Sequence, residues 1–98
     1  MMRKSGFVYI VTNKRYGVLY TGVTSNLVAR ITQHREGTGS RFTSKYRTTM
    51  LVYYEQYPSI EEAIVREKAI KAWKRMWKIR TIEEMNPAWD DLYGTLVG

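Results

Sequence analysis

The chain has no cysteine, a single histidine and only two prolines among its 98 residues. Without thiols there is no disulfide framework and no thiolate metal site, and one histidine rules out multi-histidine zinc sites. Any metal is therefore expected to be a hard cation held by oxygen. No apolar run is long enough to cross a bilayer. Met1–Lys4 followed by Phe7–Val11 has the outline of a secretion leader, but Thr12, Asn13 and Lys14 end the apolar stretch too early, so a cytoplasmic protein is expected. Repeats, linkers and low-complexity tracts are absent as well, and the length suits one domain over residues 1–98. What is present is a hydrophobic fraction of 44%, with Trp73, Trp77 and Trp89, which is too apolar for a disordered chain.

Charge of one sign is missing locally. All 16 lysines and arginines fall in residues 1–80, against five acids there, whereas residues 81–98 hold four acids and no base. The net charge of +7 thus combines a body with a surplus of eleven positive charges and an acidic end. Such a field attracts polyphosphate, and binding it releases counterions, so nucleic acid is the leading partner, with a merely solvated basic surface as the plain alternative. Glu83, Glu84, Asp90 and Asp91 around Trp89 either dock a partner protein or fold back on the basic body.

Phe7–Thr12 and Val18–Gly22 are short β-branched and aromatic runs flanking the polar Asn13-Lys14-Arg15-Tyr16-Gly17, which predicts a hairpin. A turn centred between residues 14 and 15 makes Tyr9 and Tyr20 cross-strand neighbours, directly opposite or one step diagonal. Thr24 or Ser25 can cap a helix running to Glu36 and stopped by Gly37, with Leu27, Arg30, Ile31 and His34 on one face. Gly37–Thr49 reads as an exposed basic loop, and Met50–Tyr57 as a third strand. Pro58 and Ser59 then open a strong helix, because Ser59 and Glu62 have capping-box spacing. The helix is expected to persist to about Lys74 or beyond; its buried stripe starts with Ile60, Ala63, Ile64 and Ile70 and drifts through Trp73 and Trp77, a drift that signals a bend. Thr81–Met85 is a further short piece ended by Asn86-Pro87. The fold class is α+β: a small three-stranded antiparallel sheet flanked by helices in the order β-β-α-β-α, plus a short C-terminal helical piece.

Several residues carry possible chemistry, each with a plainer role beside it. Glu67 falls within an apolar stripe, where a carboxylate needs a cation; Lys71, one turn on, and a metal ion both answer. Arg30 has the planar fork that suits phosphate, or is simply solvated. His34 is either structural or catalytic. Two strand tyrosines are by themselves ordinary packing residues. Arg41, Lys45 and Arg47 interleave with Phe42 and Tyr46, a mixture that tracks a nucleic-acid backbone and stacks on unpaired bases, unless the aromatics belong to the core.

Together these positions resemble the GIY-YIG nuclease superfamily, which includes homing endonucleases, some restriction enzymes and the N-terminal domain of the bacterial nucleotide-excision repair nuclease. The signature halves are Phe7-Val8-Tyr9 and Tyr20-Thr21-Gly22, followed by Arg30, His34, Glu67 and Asn86. The resemblance is strongest to small single-domain members. It implies a metal-dependent endonuclease that hydrolyses phosphodiester bonds in DNA, with structured, branched or damaged DNA as possible substrates. In that picture Glu67 holds one divalent cation, Mg²⁺ or Mn²⁺, and Arg30 clamps the scissile phosphate. One of Tyr9 and Tyr20, Tyr9 by preference, accepts a proton from the attacking water while the other fixes its geometry. His34 is an alternative proton relay, and Asn86 binds the phosphate or orients the metal's water. Two positions depart from the pattern: Phe7 stands where the first signature glycine belongs, with Gly6 before it, and Val23 replaces a lysine that many members carry. Val23 leaves open a module that keeps the fold and binds nucleic acid without cutting. A protein-interaction domain is the third reading.

Overall fold

The apolar residues of β1 (Gly6–Thr12) alternate between two faces; this strand is the middle one of three, paired at both edges, and helices cover both faces of it. The computed structural model describes residues 5–98; Met1–Lys4, the head of the leader-like start, lies outside the described residues. β2 (Leu19–Thr24) and β3 (Met50–Tyr57) flank β1, both antiparallel to it, in the order β2-β1-β3.

One face of the sheet packs Val8, Ile10, Val52 and Tyr53 against α3 (Ile60–Ala72) and α4 (Arg75–Met85) through Ala63, Ile70, Ile79 and Ile82, with Trp89 completing the cluster. The other packs Tyr9, Val11 and Leu51 against Leu27 and Ile31 of α1 (Leu27–Arg35), and α5 (Tyr93–Val97) closes over it. Gly6 lets α3 approach: a Cβ there would lie 2.6 Å from that of Ala63. The β1–β3 register slips after Ile10, which pairs with Tyr53 while Val11 pairs with Leu51, so Val52 is the bulged residue. Among the described residues no helix is long and apolar enough to cross a membrane.

The fold class and the third strand are as expected, but several boundaries differ. Thr24 is still paired with Phe7 in the sheet, so neither it nor Ser25 caps α1; Asn26 does, accepting from the Ala29 N–H at 3.1 Å. Gly37 ends that helix with φ +80°, as expected. The expected loop over 37–49 contains a helix, α2 (Arg41–Tyr46), capped by Ser40, whose Oγ accepts from the Thr43 N–H at 3.1 Å. Ser59 caps α3 as the spacing predicts, accepting from the Glu62 N–H. The drifting stripe is two helices: Trp73 and Lys74 are extended, and Thr81–Met85 is the end of α4. Trp77 is 54% exposed because the break turns α4 away from the stripe's extrapolated line, and within α3 Ile60 and Ile64 are only half-buried.

Candidate active site

The hairpin is centred one residue later than predicted, so Tyr9 lies opposite Gly22 and Tyr20 opposite Val11. Positions two apart on a strand share a face, and the two tyrosines are diagonal neighbours with ring centroids 6.5 Å apart. Gly22 is what lets Tyr9 lie across β2: a Cβ at that position would be 2.3 Å from the Tyr9 hydroxyl. The second signature glycine thus makes room for the first signature tyrosine.

α1 brings His34 to the same spot because Leu27, Ile31 and His34 form its buried stripe. Tyr9 Oη lies 2.7 Å from His34 Nε2, and His34 Nδ1 lies 3.0 Å from Thr43 Oγ1 of α2. Burial pushes the Tyr9 phenol up to about 12, an effect that nearby Arg30 opposes and the charges of Tyr20 and Glu67 reinforce. Burial also lowers His34 to about 4, and the positive charge of Arg30 adds to that. At neutral pH the proton therefore rests on Tyr9 and both groups are uncharged. Arg30 itself is partly exposed, with Nη1 donating to Gln33 Oε1 at 3.0 Å.

Glu67 comes from the opposite layer. It is buried, and Lys71 Nζ lies 2.8 Å from its Oε1, so the ion pair expected from the helical spacing is present. The ammonium is not aligned for a directed hydrogen bond, and Oε1 is one of the buried polar atoms with no such partner. Among the described residues no three histidine, cysteine or acidic side chains converge to hold a metal. A buried, incompletely satisfied carboxylate oxygen nonetheless suits a hard cation that takes its remaining ligands from water and substrate phosphate.

The remaining predicted residues separate into two groups. Arg41, Lys45 and Arg47 are exposed on or just after α2, and Phe42 and Tyr46 are 38% and 39% exposed, so these aromatics are not core. Their rings run outward from the site, with Tyr20 to Phe42 at 5.5 Å and Phe42 to Tyr46 at 4.7 Å. Asn86, by contrast, is engaged elsewhere. Its Nδ2 donates to the carbonyl of the bulged Val52 at 3.1 Å and to Asp90 O at 2.8 Å, while its Oδ1 accepts from the Asp90 N–H. Its amide is used in holding the C-terminal segment to β3, which conflicts with a direct role at a phosphate or metal.

The acidic end likewise folds back. Trp89 is buried and donates to Glu83 Oε2, Tyr16 donates to the same oxygen, and Asp91 pairs with Arg35 at 2.7 Å. Val23 packs into the α3/α4 layer, on the sheet face opposite the tyrosine pair. Thr43 and Gly39 were missed from sequence. A Cβ on Gly39 would lie 2.1 Å from His34 Nδ1, so that backbone presses on the imidazole. The available signal was Ser40 ahead of Phe42 and Tyr46 at helical spacing, which marks a capped helix in place of a loop.

Comparison with known proteins bears on this cluster. The family model of the GIY-YIG catalytic domain matches residues 5–80. The chain belongs to the GIY-YIG family. Similar proteins include the UPF0213 protein SH2523 of Staphylococcus haemolyticus, 45% identical over 78 residues, covering 80% of this chain and 94% of that one. A UPF0213 protein of Staphylococcus aureus is 42% identical over 80 residues, covering 82% and 96%. The solution structure of the UPF0213 protein BH0048 from Bacillus halodurans aligns with a TM-score of 0.56 at 30% identity, over 89% of this chain and 92% of that one. The matched span contains Tyr9, Tyr20, Arg30, His34 and Glu67, while Asn86 falls beyond it.

Proposed function

We propose that this chain is a metal-dependent endonuclease that hydrolyses phosphodiester bonds in DNA. The observation that carries the reading is the 2.7 Å contact between Tyr9 and His34, beside Arg30 and diagonal to Tyr20. Packing alone does not call for a buried phenol on a buried imidazole, whereas a proton relay does.

Arg30 donates to the non-bridging oxygens of the scissile phosphate and stabilises charge that grows in the transition state. Tyr9 Oη takes a proton from the attacking water and passes its own to His34 Nε2. The phenol stays neutral throughout, which matters because a free phenolate at a pKa near 12 is far too rare at pH 7. The proton ends on His34 as imidazolium. Burial is the main reason His34 is held low, and negative charge arriving beside Arg30 offsets only the smaller contribution of its repulsion, which moves His34 in the direction of a better acceptor. Tyr20, on the same sheet face, orients the water. Glu67 is the residue to hold Mg²⁺ or Mn²⁺, in competition with the Lys71 ammonium. When bound, that ion supplies Lewis-acid polarisation of the phosphate and stabilises the leaving oxygen. Arg41, Lys45 and Arg47 contact the nucleic-acid backbone, with Phe42 and Tyr46 available to stack on unpaired bases.

The test uses single-stranded, duplex and branched DNA with Mg²⁺ or Mn²⁺, comparing wild type with Glu67→Gln and Tyr9→Phe. Each variant is expected to lose on the order of a hundredfold or more in cleavage rate. If the wild type does not exceed the variants on any substrate, the hydrolytic reading fails. Salt-sensitive binding in that case identifies a non-cutting module, the reading that Val23 favours.

A further inference from the structure

His34 is contacted at both ring nitrogens, and which nitrogen carries the proton decides whether the ring can accept one from Tyr9. Hydrogen-bond satisfaction within the protein favours one direction. Tyr9 is buried, and among the described residues His34 Nε2 is the one acceptor its hydroxyl reaches. If Nε2 were protonated, the phenolic proton would have no acceptor among the described protein groups. At the far side of the ring, Thr43 donates its hydroxyl proton to Ser40 O at 3.2 Å. Ser40 Oγ accepts from the Thr43 N–H and lies 2.9 Å from Thr43 Oγ1, placed to donate its own proton there. Thr43 Oγ1 then has a lone pair left for one more donor, and His34 Nδ1 is 3.0 Å away. With the proton on Nδ1, every donor in the chain Tyr9–His34–Thr43–Ser40 has an acceptor.

We propose that Thr43 is a positioning residue for His34: its hydroxyl, anchored by the α2 cap Ser40, fixes the Nδ1–H tautomer and leaves Nε2 free to take the proton of Tyr9. The inference rests on the hydrolytic reading of Tyr9 and His34 for its purpose, although the tautomer itself does not depend on cleavage. It also gives α2 a second task. The helix that presents Phe42 and Tyr46 outward turns Thr43, its one buried residue, inward onto the imidazole. Gly39 holds the ring against that hydroxyl, since any side chain there would collide with Nδ1.

Because the chain has a single histidine, one pair of ring nitrogen signals reports the tautomer without ambiguity. The experiment records long-range ¹H–¹⁵N spectra of uniformly labelled full-length wild type, Thr43→Ser and Thr43→Val at pH 7, where the ring is neutral. The two nitrogens are assigned through their couplings to Hδ2 and Hε1. Wild type and Thr43→Ser are expected to show a protonated Nδ1 and an unprotonated Nε2. In Thr43→Val the buried Nδ1–H loses its acceptor, so the population moves toward Nε2–H. Cleavage by the valine variant should fall on the order of ten- to a hundredfold, with the serine variant retaining most of the activity.

An Nε2–H wild type overturns the proposal, as does a folded Thr43→Val with unchanged tautomer. If the valine variant does not fold, the wild-type and serine spectra still decide. Expected tautomers without cleavage by any form count against the hydrolytic reading and leave the placement of the proton by Thr43 intact.

Discussion

Gly22 shows at the level of one residue how the site is made. A methyl group there would overlap the Tyr9 hydroxyl and the adjoining ring carbon, at 2.3 and 2.4 Å, and a rigid ring held by its own hydrogen bond cannot move aside cheaply. Gly22→Ala is therefore expected to destabilise the protein by about 1–3 kcal/mol, as overpacking does, and to reduce cleavage at least about tenfold. Denaturant unfolding and the cleavage assay check the two effects, and wild-type behaviour in both would contradict the close packing. His34 offers a second single-residue prediction. Its folded pKa of about 4 is below its ordinary 6.5, so between those values the unfolded chain binds the extra proton. The stability contributed by keeping His34 neutral is fully present above pH 6.5 and is lost as pH falls toward 4, by about 3 kcal/mol. Unfolding midpoints at pH 7 and pH 4.5 should thus differ more for wild type than for His34→Gln. Equal differences would show that His34 does not carry this dependence.

Among the elements, those set by local chemistry were the easiest to read. The Ser59 cap, the Gly37 stop and the third strand are written in a few adjacent residues and occur where the spacing places them, while the second strand begins and ends later than its apolar run. α2 was not legible as a helix because polar, basic residues and glycines dominate its neighbourhood; its hold on the fold is Thr43 on His34, a contact across nine residues. The break between α3 and α4 showed only as drift of the apolar stripe. One reason it is tolerated lies outside both helices. Arg75 Nη2 donates to Tyr16 O and Gly17 O in the hairpin turn, both at 2.7 Å, and so fixes the start of α4. α3 is tied to β3 by Arg66, which meets Glu55 through Nε and Nη2 at 2.9 and 3.0 Å and stacks over Trp73. Arg66→Met is expected to cost about 2 kcal/mol in urea unfolding, the scale of hydrogen bonds to a charged group, because it leaves a partly buried carboxylate without its cation. A change below about 0.5 kcal/mol would mean that the pair is no stronger than an exposed one.

For the molecule as a whole, the charge asymmetry has a consequence that binding can measure. Two of the four acids at the C-terminal end have internal partners, Asp91 with Arg35 and Glu83 with Tyr16, Trp89 and Arg15, while Glu84 and Asp90 are exposed. The exposed cations of α2 and its C-terminal flank remain available to phosphate. DNA affinity should accordingly fall linearly in a plot of log K against log salt. Replacing Arg41, Lys45 and Arg47 together by alanine should reduce that slope by up to about three, roughly one for each phosphate that is no longer neutralised. An unchanged slope in fluorescence anisotropy titrations with a Glu67→Gln background would remove α2 from the nucleic-acid surface.

The sequence by itself determined the α+β class, the hairpin, the third strand, the capped α3 and the spacing that brings the tyrosines, Arg30, His34 and Glu67 into one family pattern. Those features depend on local propensity and on the alternation of apolar residues, which neighbours along the chain specify. Only the tertiary structure decided what each polar side chain does. Asn86 satisfies a bulged carbonyl at Val52, and Asp91 and Glu83 of the acidic end reach Arg35, Tyr16 and Arg15 of the body. Thr43 reaches the imidazole from a helix that the local pattern concealed. A buried polar group takes whichever partner the packed chain brings within about 3 Å. Where that partner lies one helical turn away, as Lys71 does from Glu67, spacing names it, and where it lies on another element, as for Asn86 and His34, spacing cannot.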